Sequence, residues 1–122
     1  MRSGARVLVV DDNLDAAELL AELLTDHGHA VHVAHSGPEA LKMLATFTPD
    51  AALLDIGLPV MDGYQLAVAL RGELPSIRLI ALTGYGAPND RAQTREAGFD
   101  AHLTKPVSLA TVTDTLDELL SS

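Results

Sequence analysis

Arg6-Val7-Leu8-Val9-Val10-Asp11-Asp12-Asn13 is the stretch on which the fold turns. Four aliphatic side chains in succession, Val7 to Val10, run straight into two carboxylates. Successive side chains of a strand point to opposite faces. An unbroken apolar run therefore marks a strand covered on both sides, as in a parallel sheet. A surface helix would space its apolar residues three and four apart, and a half-exposed strand would alternate them. Similar runs recur along the chain. Ala51-Ala52-Leu53-Leu54 reads as a third strand and Ile77-Arg78-Leu79-Ile80-Ala81-Leu82 as a fourth. Ala30-Val31-His32-Val33-Ala34 alternates more and reads as an outer, second strand. Ala101-His102-Leu103 is a short fifth.

Helical segments separate these runs. Ala16, Leu19, Leu20, Leu23 and Leu24 fall at i, i+3, i+4, i+7 and i+8, one broad apolar stripe on a first helix that Gly28 ends. Ser36 starts a second helix ahead of Gly37-Pro38, with Ala40, Leu41, Leu44 and Ala45 inward. Gly63 to Glu73 forms a third, with Leu66, Ala69 and Leu70 inward. A last helix runs from Ser108 to Leu120, with Leu109, Val112, Leu116 and Leu119 inward. The fourth, Ala87 to Ala97, has only alanines and one proline as apolar side chains. It buries little area and is expected to be weakly held. Strict alternation of strand and helix predicts one α/β domain over residues 1–122. Its architecture is a doubly wound, five-stranded parallel sheet with helices on both faces.

Composition agrees. The chain has 122 residues, enough for one core and too few for two. Apolar residues make up 48% and aromatics 3%, so the core is aliphatic. With no cysteine, disulfides and thiolate metal sites are excluded, which fits a reducing, cytoplasmic setting. The net charge of −9 argues against nucleic-acid binding, which needs clustered Lys and Arg, and suits a basic partner or a cation site. No apolar run approaches the ~18 residues of a membrane span. Met1-Arg2-Ser3-Gly4 leads directly into the first strand, so no signal peptide is expected.

In doubly wound sheets, ligands sit outside the C-terminal ends of the strands. There the first strand presents Asp11-Asp12, the third Asp55, the fourth Thr83, and the fifth is followed by Lys105-Pro106. Any one of these aspartates alone reads as a strand-end cap. Five such positions meeting at one edge read as a site. Three converging carboxylates repel one another unless a cation offsets them. Oxygen donors without Cys or His point to a hard ion, Mg²⁺ first, with Mn²⁺ as a substitute. A carboxylate can serve as nucleophile toward a phosphoryl group, giving an acyl phosphate. Asp55 is the best placed, at the end of the central strand and ahead of a Gly- and Pro-shaped loop, 56–62. Lys105 would neutralise charge, and Thr83 would donate to a phosphoryl oxygen.

These residues resemble the receiver domains of two-component response regulators, and the likeness covers nearly the whole chain. It rests on Val9-Val10-Asp11-Asp12-Asn13, on Leu54-Asp55-Ile56-Gly57-Leu58-Pro59-Val60-Met61-Asp62-Gly63, on Ala81-Leu82-Thr83-Gly84 and on Lys105-Pro106. Leu82-Thr83-Gly84-Tyr85-Gly86 and Ala97-Gly98-Phe99-Asp100-Ala101 further resemble receivers attached to hybrid sensor histidine kinases. The resemblance implies a flavodoxin-like strand order, 2-1-3-4-5. It implies that Asp55 takes a phosphoryl group from a phosphohistidine on a sensor kinase or histidine phosphotransfer domain. Mg²⁺ would be held by Asp12 and Asp55, by Asp11 often through water, and by the backbone carbonyl of Gly57. Thr83 and Lys105 would contact the phosphoryl oxygens, and the Lys105-Pro106 peptide would be cis. Leu14, Asp15, Glu18 and Pro106 would dock the phosphodonor, and the 83–105 face would carry the output. Positions 57 and 85 would tune phosphate lifetime. A monomer or weak dimer is expected, either stand-alone or part of a longer hybrid kinase.

One position departs from the pattern. Many receivers carry Tyr or Phe three residues before the lysine, as a switch coupled to the threonine; here it is His102. The plain reading is a half-buried histidine on an edge strand, and the sharper one a switch set by pH. His27, His29, His32 and His35 cluster in sequence, but alternation separates them, so solvated edge residues are the better account than a zinc site. Two other functions stay open. A Mg²⁺-dependent phosphatase using an aspartyl phosphate would want an acid two residues after Asp55, where Gly57 stands. A flavin or nucleotide binder would want a Gly-rich loop after the first strand, where Asp11-Asp12-Asn13 stands.

Overall fold

The computed structural model describes residues 4–84 and 91–121. Strand and helix alternate through them: β1 (Arg6–Val10), α1 (Leu14–Asp26), β2 (Ala30–Ala34), α2 (Gly37–Met43), β3 (Ala51–Asp55), α3 (Gly63–Glu73), β4 (Arg78–Thr83), α4 (Arg91–Ala97), β5 (Ala101–Thr104) and α5 (Leu109–Leu120). The strands form one sheet in the order β2-β1-β3-β4-β5, every neighbouring pair parallel. The chain steps from β1 outward to β2, then back past β1 to β3, and continues that way to β4 and β5. Right-handed crossovers then place α1 on one face and α2, α3 and α4 on the other.

The core divides along the pleat. Leu8, Val10, Ala52, Leu54, Leu79 and Ala81 pack with Ala40, Leu66, Ala67 and Leu70 of α2 and α3. Val7, Val9, Ala51, Leu53, Ile80 and Leu82 pack with Ala17, Leu24, Val112 and Leu116 of α1 and α5. Both alternate sets being apolar is the reason the runs are unbroken in sequence. Each fully buried leucine contributes about 1.5–3 kcal/mol through area removed from water.

Local chemistry starts and stops the helices as expected. The Ser36 and Ser108 side chains accept from the Glu39 and Thr111 N–H groups at the heads of α2 and α5, and Gly28 adopts φ +104° after α1. Asp62 and Gln65 form a reciprocal capping box at α3. Strands β3, β4 and β5 each reach one residue further than the apolar runs, because Asp55, Thr83 and Thr104 still pair in the ladder.

Three expectations need correction. In α1 the inward residues are Ala17, Leu20 and Leu24, whereas Ala16 is exposed and Leu19 is 59% exposed. The apolar arc is wider than the strip of sheet it covers, and periodicity gives its width but not its aim. In α2, Ala45 lies past the last helical residue and is exposed. And His29 is buried, not solvated: its Nδ1 accepts the N–H of Ala5 at 3.0 Å, so the ring replaces a backbone partner at the start of β1.

Residues 87–90 of the expected fourth helix lie outside the described residues. Its described part buries only Thr94 and Ala97. It is secured at its C-terminal end. Gly98 takes φ +100°, and Arg71 of α3 donates to the carbonyls of Pro75, Ile77 and Gly98 and to Asp100 Oδ2 at 2.9 Å. Asp100 Oδ2 in turn accepts the Leu79 N–H at 2.8 Å. One guanidinium thus joins α3, β4 and the turn into β5.

Candidate functional site

The crevice opens where the chain leaves β1 for one edge of the sheet and β3 for the other. Asp11 follows β1 and is buried; Asp12 beside it is exposed; Asp55 ends β3. One carboxylate oxygen from each lies within 4.8 Å of the other two, and among the described residues no other three His, Cys, Asp or Glu side chains meet in this way. Lys105 enters from the loop after β5. Its Nζ donates to Asp11 Oδ2 at 2.8 Å and stands 3.4 Å from Asp55 Oδ2. Its N–H bonds the Thr83 carbonyl at 2.7 Å, and the Lys105-Pro106 peptide is cis.

Backbone geometry fixes the carboxylates. Asp11 Oδ1 accepts the Asn13 N–H at 3.0 Å, and Asn13 then caps α1 by accepting from Ala16 N–H. His35 Nδ1 lies 3.3 Å from the Asp11 carbonyl. Asp55 Oδ1 accepts the Gly57 N–H at 3.1 Å. The loop after Asp55 is pinned by buried Leu58 and by the bonds Ile56 N–H to Leu82 O and Gly63 N–H to Ile56 O, both 3.0 Å. At its tip Val60 is 96% exposed with φ +68°, an unusual conformation for a β-branched residue.

Burial first, and then the neighbouring charges, set the protonation of Asp55 and Lys105. Burial pushes the Asp55 carboxyl above the ordinary aspartate value. The Gly57 N–H and the Lys105 ammonium pull it down without offsetting that, and the Asp11 charge pushes it up again. Burial works to lower the Lys105 pKa, but the hydrogen bond and charge of Asp11, then Asp55, outweigh it and hold the ammonium above its usual value. Three clustered carboxylates, of which only Asp11 and Asp55 reach the one ammonium, fit a second cation of the hard divalent class.

Thr83 lies at the same sheet edge, one residue beyond Leu82, which pairs with Asp55. Its hydroxyl is buried and turned toward β5, 3.1 Å from His102 Nε2 and 3.5 Å from the Leu103 carbonyl. His102 is half-buried. The structure thus joins Asp11, Asp12, Asp55 and Lys105 directly, and joins Thr83 to His102. Tyr85 lies outside the described residues. Gly57 is exposed beside Asp55. Leu14, Asp15, Glu18 and Pro106 are all exposed, and Pro106 lines a groove of about 440 Å³. Ala16, Leu19, Leu23, Pro106, Val107 and Leu109 line it, and it opens onto Asp11 and Lys105. Ala16, Leu19 and Leu23 of the apolar α1 stripe are therefore part of its wall. The remaining histidines do not gather: His32 stacks on Phe47 at 3.9 Å, and His27 on His29 at 5.9 Å.

Residues 7–117 match the response regulator receiver domain family. The chain belongs to that family. Response regulator MprA of Mycobacterium tuberculosis is 38% identical over 106 residues, 87% of this chain and 46% of that protein. The chain thus spans about half the length of the curated relatives it matches. Among solved structures, a CheY-like receiver domain protein from Methanospirillum hungatei superposes with a TM-score of 0.90 at 29% identity, over 98% of this chain and 95% of that one. The receiver of a signal transduction histidine kinase from Syntrophus aciditrophicus gives 0.86 at 32%, over 97% and 91%. Receiver domains serve two-component signalling together with sensor histidine kinases, and this receiver carries the five-stranded 2-1-3-4-5 sheet and an acidic cluster able to hold a metal ion. No helix among the described residues is long and apolar enough to cross a membrane.

Proposed function

We propose that Asp55 is the phosphoacceptor of this receiver, and the Asp11–Lys105–Asp55 bridge beside a third carboxylate is the observation that carries the reading. One Asp55 oxygen attacks the phosphorus of a phosphohistidine. The P–N bond breaks, and the departing imidazole nitrogen keeps the electron pair. Asp11, Asp12, Asp55 and the Gly57 carbonyl would hold Mg²⁺, or Mn²⁺ in its place. Bound there, the ion supplies positive charge to the phosphoryl oxygens. Lys105 neutralises charge on the opposite side, and Thr83 donates to a phosphoryl oxygen once its hydroxyl turns from β5. Gly57 leaves no acid two residues after Asp55, so the domain signals and does not turn over external substrates. A phosphatase is the second reading. Incubation with a small acyl phosphate and Mg²⁺ should add one phosphoryl group by intact mass, and chelating the metal should slow this at least roughly tenfold. Labelling that ignores chelation would sink the metal assignment, and steady phosphate release from sugar phosphates would revive the phosphatase.

The docking surface is the α1–α5 groove together with exposed Leu14, Asp15, Glu18 and Pro106. The sequence from residue 14 to residue 36 holds no Lys or Arg, and neither does that from 106 to 122, so a helix presenting apolar and basic residues suits this face. The donor is a sensor kinase or histidine phosphotransfer domain, in a cytoplasmic setting. Leu19→Asp should slow transfer from a phosphohistidine donor roughly tenfold while leaving labelling by the small acyl phosphate unchanged. Equal loss with both donors would remove the groove from the pathway.

A further inference from the structure

We infer that His35 is a positioning residue of the cation site, whose ring holds the Asp11–Asp12 peptide in the orientation that brings Asp12 to Asp11 and Asp55. The inference rests on the reading of those carboxylates as metal ligands. Asp11 N–H bonds the Ala34 carbonyl at 3.2 Å, the last rung between β1 and β2. The next rung of a parallel ladder would bring an N–H from beyond β2 to the Asp11 carbonyl. There β2 has ended, and Ser36 is committed to capping α2. The carbonyl belongs to a residue only 3% exposed, and a buried carbonyl without a donor is costly. His35 Nδ1 stands 3.3 Å from it, and no other donor among the described residues reaches it. The ring takes the place of the missing rung.

The direction of this bond is fixed by its acceptor. A carbonyl oxygen carries no proton, so Nδ1 donates. The imidazolium and the neutral ring protonated on Nδ1 both supply that proton, so the contact does not depend on the charge of the ring. The ring is aimed by its own backbone, because the His35 N–H donates to Glu39 Oε1 in the first turn of α2 at 3.3 Å. Asp12 is the residue that gains. The Asp11 carboxylate is already held twice, by the Asn13 N–H and by Lys105 Nζ. Asp12 is exposed, and its carboxylate accepts no hydrogen bond among the described residues. Its place is therefore set by the backbone that carries it. Turning the Asp11–Asp12 peptide would move the Asp12 Cα while the Asp11 carboxylate stayed on Lys105. A donor on that carbonyl fixes the peptide in advance, as groups behind a metal ligand orient it for the ion.

Two substitutions separate the donor from the bulk of the ring. Asn carries an N–H as many bonds from Cβ as Nδ1 is, and Leu carries a methyl there. Mn²⁺ binding is titrated through the EPR signal of the free ion, and Mg²⁺ binding by competition with it, in the absence of any phosphodonor. His35→Leu should bind both ions roughly fivefold more weakly, the factor of one ordinary hydrogen bond, and His35→Asn should stay within about twofold of the parent. Leucine binding like the parent, or asparagine falling as far as leucine, overturns the inference and leaves the carboxylates as ligands. A parent chain that binds neither ion overturns both. The ring itself gives a second reading that needs no leucine variant to fold. In ¹⁵N-labelled parent protein without metal, with the His35 signals assigned by their loss in His35→Asn, Nδ1 should carry a proton. A bare Nδ1 overturns the inference whatever the titrations give.

Discussion

Asp55→Asn is expected to take no phosphoryl group from an acyl phosphate under conditions that load the parent chain fully. The amide is the same size as the carboxylate and keeps an oxygen for the Gly57 N–H, which now bonds Oδ1 at 3.1 Å. What it lacks is the ionised oxygen that attacks phosphorus, so the rate should fall on the order of 10³-fold or more. Misfolding is the trivial explanation for such a loss, and the titration of Asp55 separates the two. Its pKa is raised in the folded chain above the ordinary 3.8, with burial the largest cause. Folding therefore favours the protonated form. Stability falls as pH rises through the window between the unfolded and folded values; the cost is complete above the folded value and absent below 3.8. The asparagine carries no charge to desolvate. Lys105 keeps its 2.8 Å bond to Asp11. Asp55→Asn should then melt higher than the parent at pH 7 without divalent ions. The gap should narrow as the pH is lowered toward 3.8, and on adding Mg²⁺, which stabilises only the parent appreciably. A variant that loses labelling and melts lower at neutral pH would show that the carboxylate holds the fold together, contrary to its environment.

Much of this site was legible before any coordinates because the chemistry sits at strand ends. Unbroken runs such as Val7–Val10 locate strands, strand ends locate Asp11, Asp12, Asp55 and Thr83, and the doubly wound topology brings those ends together. What stayed hidden depends on direction or on single long side chains. The aim of the α1 stripe follows from how α1 and α5 share one face of the sheet, which no period in the sequence records. Arg71 sits in an ordinary helical segment, yet its guanidinium closes four polar contacts across three elements. His29 looked like one of several solvated histidines; its buried bond to Ala5 comes from the approach of the chain start to the α1–β2 turn. His102 was visible as a departure from the aromatic pattern, but its bond to Thr83 required the register that sets Thr83 against Thr104 and Ala81 against His102. Two readable signals went unused: Asn13, directly ahead of an apolar helical stripe, is a cap, and Asp62 followed three residues later by Gln65 is a capping box.

Gly63 and Gly72 allow the helix after Asp55 to be tested by one substitution made twice. At Gly63 an added Cβ would stand 2.7 Å from the Asp55 carbonyl oxygen and 2.7 Å from the Ile56 Cα, both backbone atoms. Neither can yield without moving β3 or the loop. The first turn of α3 is also tied to that loop through Gly63 N–H to Ile56 O and through the Asp62–Gln65 capping box. Overpacking against backbone should cost about 2–3 kcal/mol. For a chain of this length that lowers the melting temperature by roughly 8–12 °C. Because the displaced atoms include the carbonyl of the acceptor residue itself, Gly63→Ala should also slow phosphoryl loading in the fraction that remains folded. At Gly72, nine residues on in the same helix, an added Cβ meets nothing within 4 Å. There alanine removes only the backbone entropy of glycine, and Gly72→Ala should raise stability by about 0.5–1 kcal/mol with loading unchanged. Thermal melts of both variants, with loading rates at a temperature where each is folded, decide the matter. If Gly63→Ala melts with the parent, the close approach of α3 to the acceptor strand does not hold, and the placement of Asp55 must depend on the Lys105 side of the site instead.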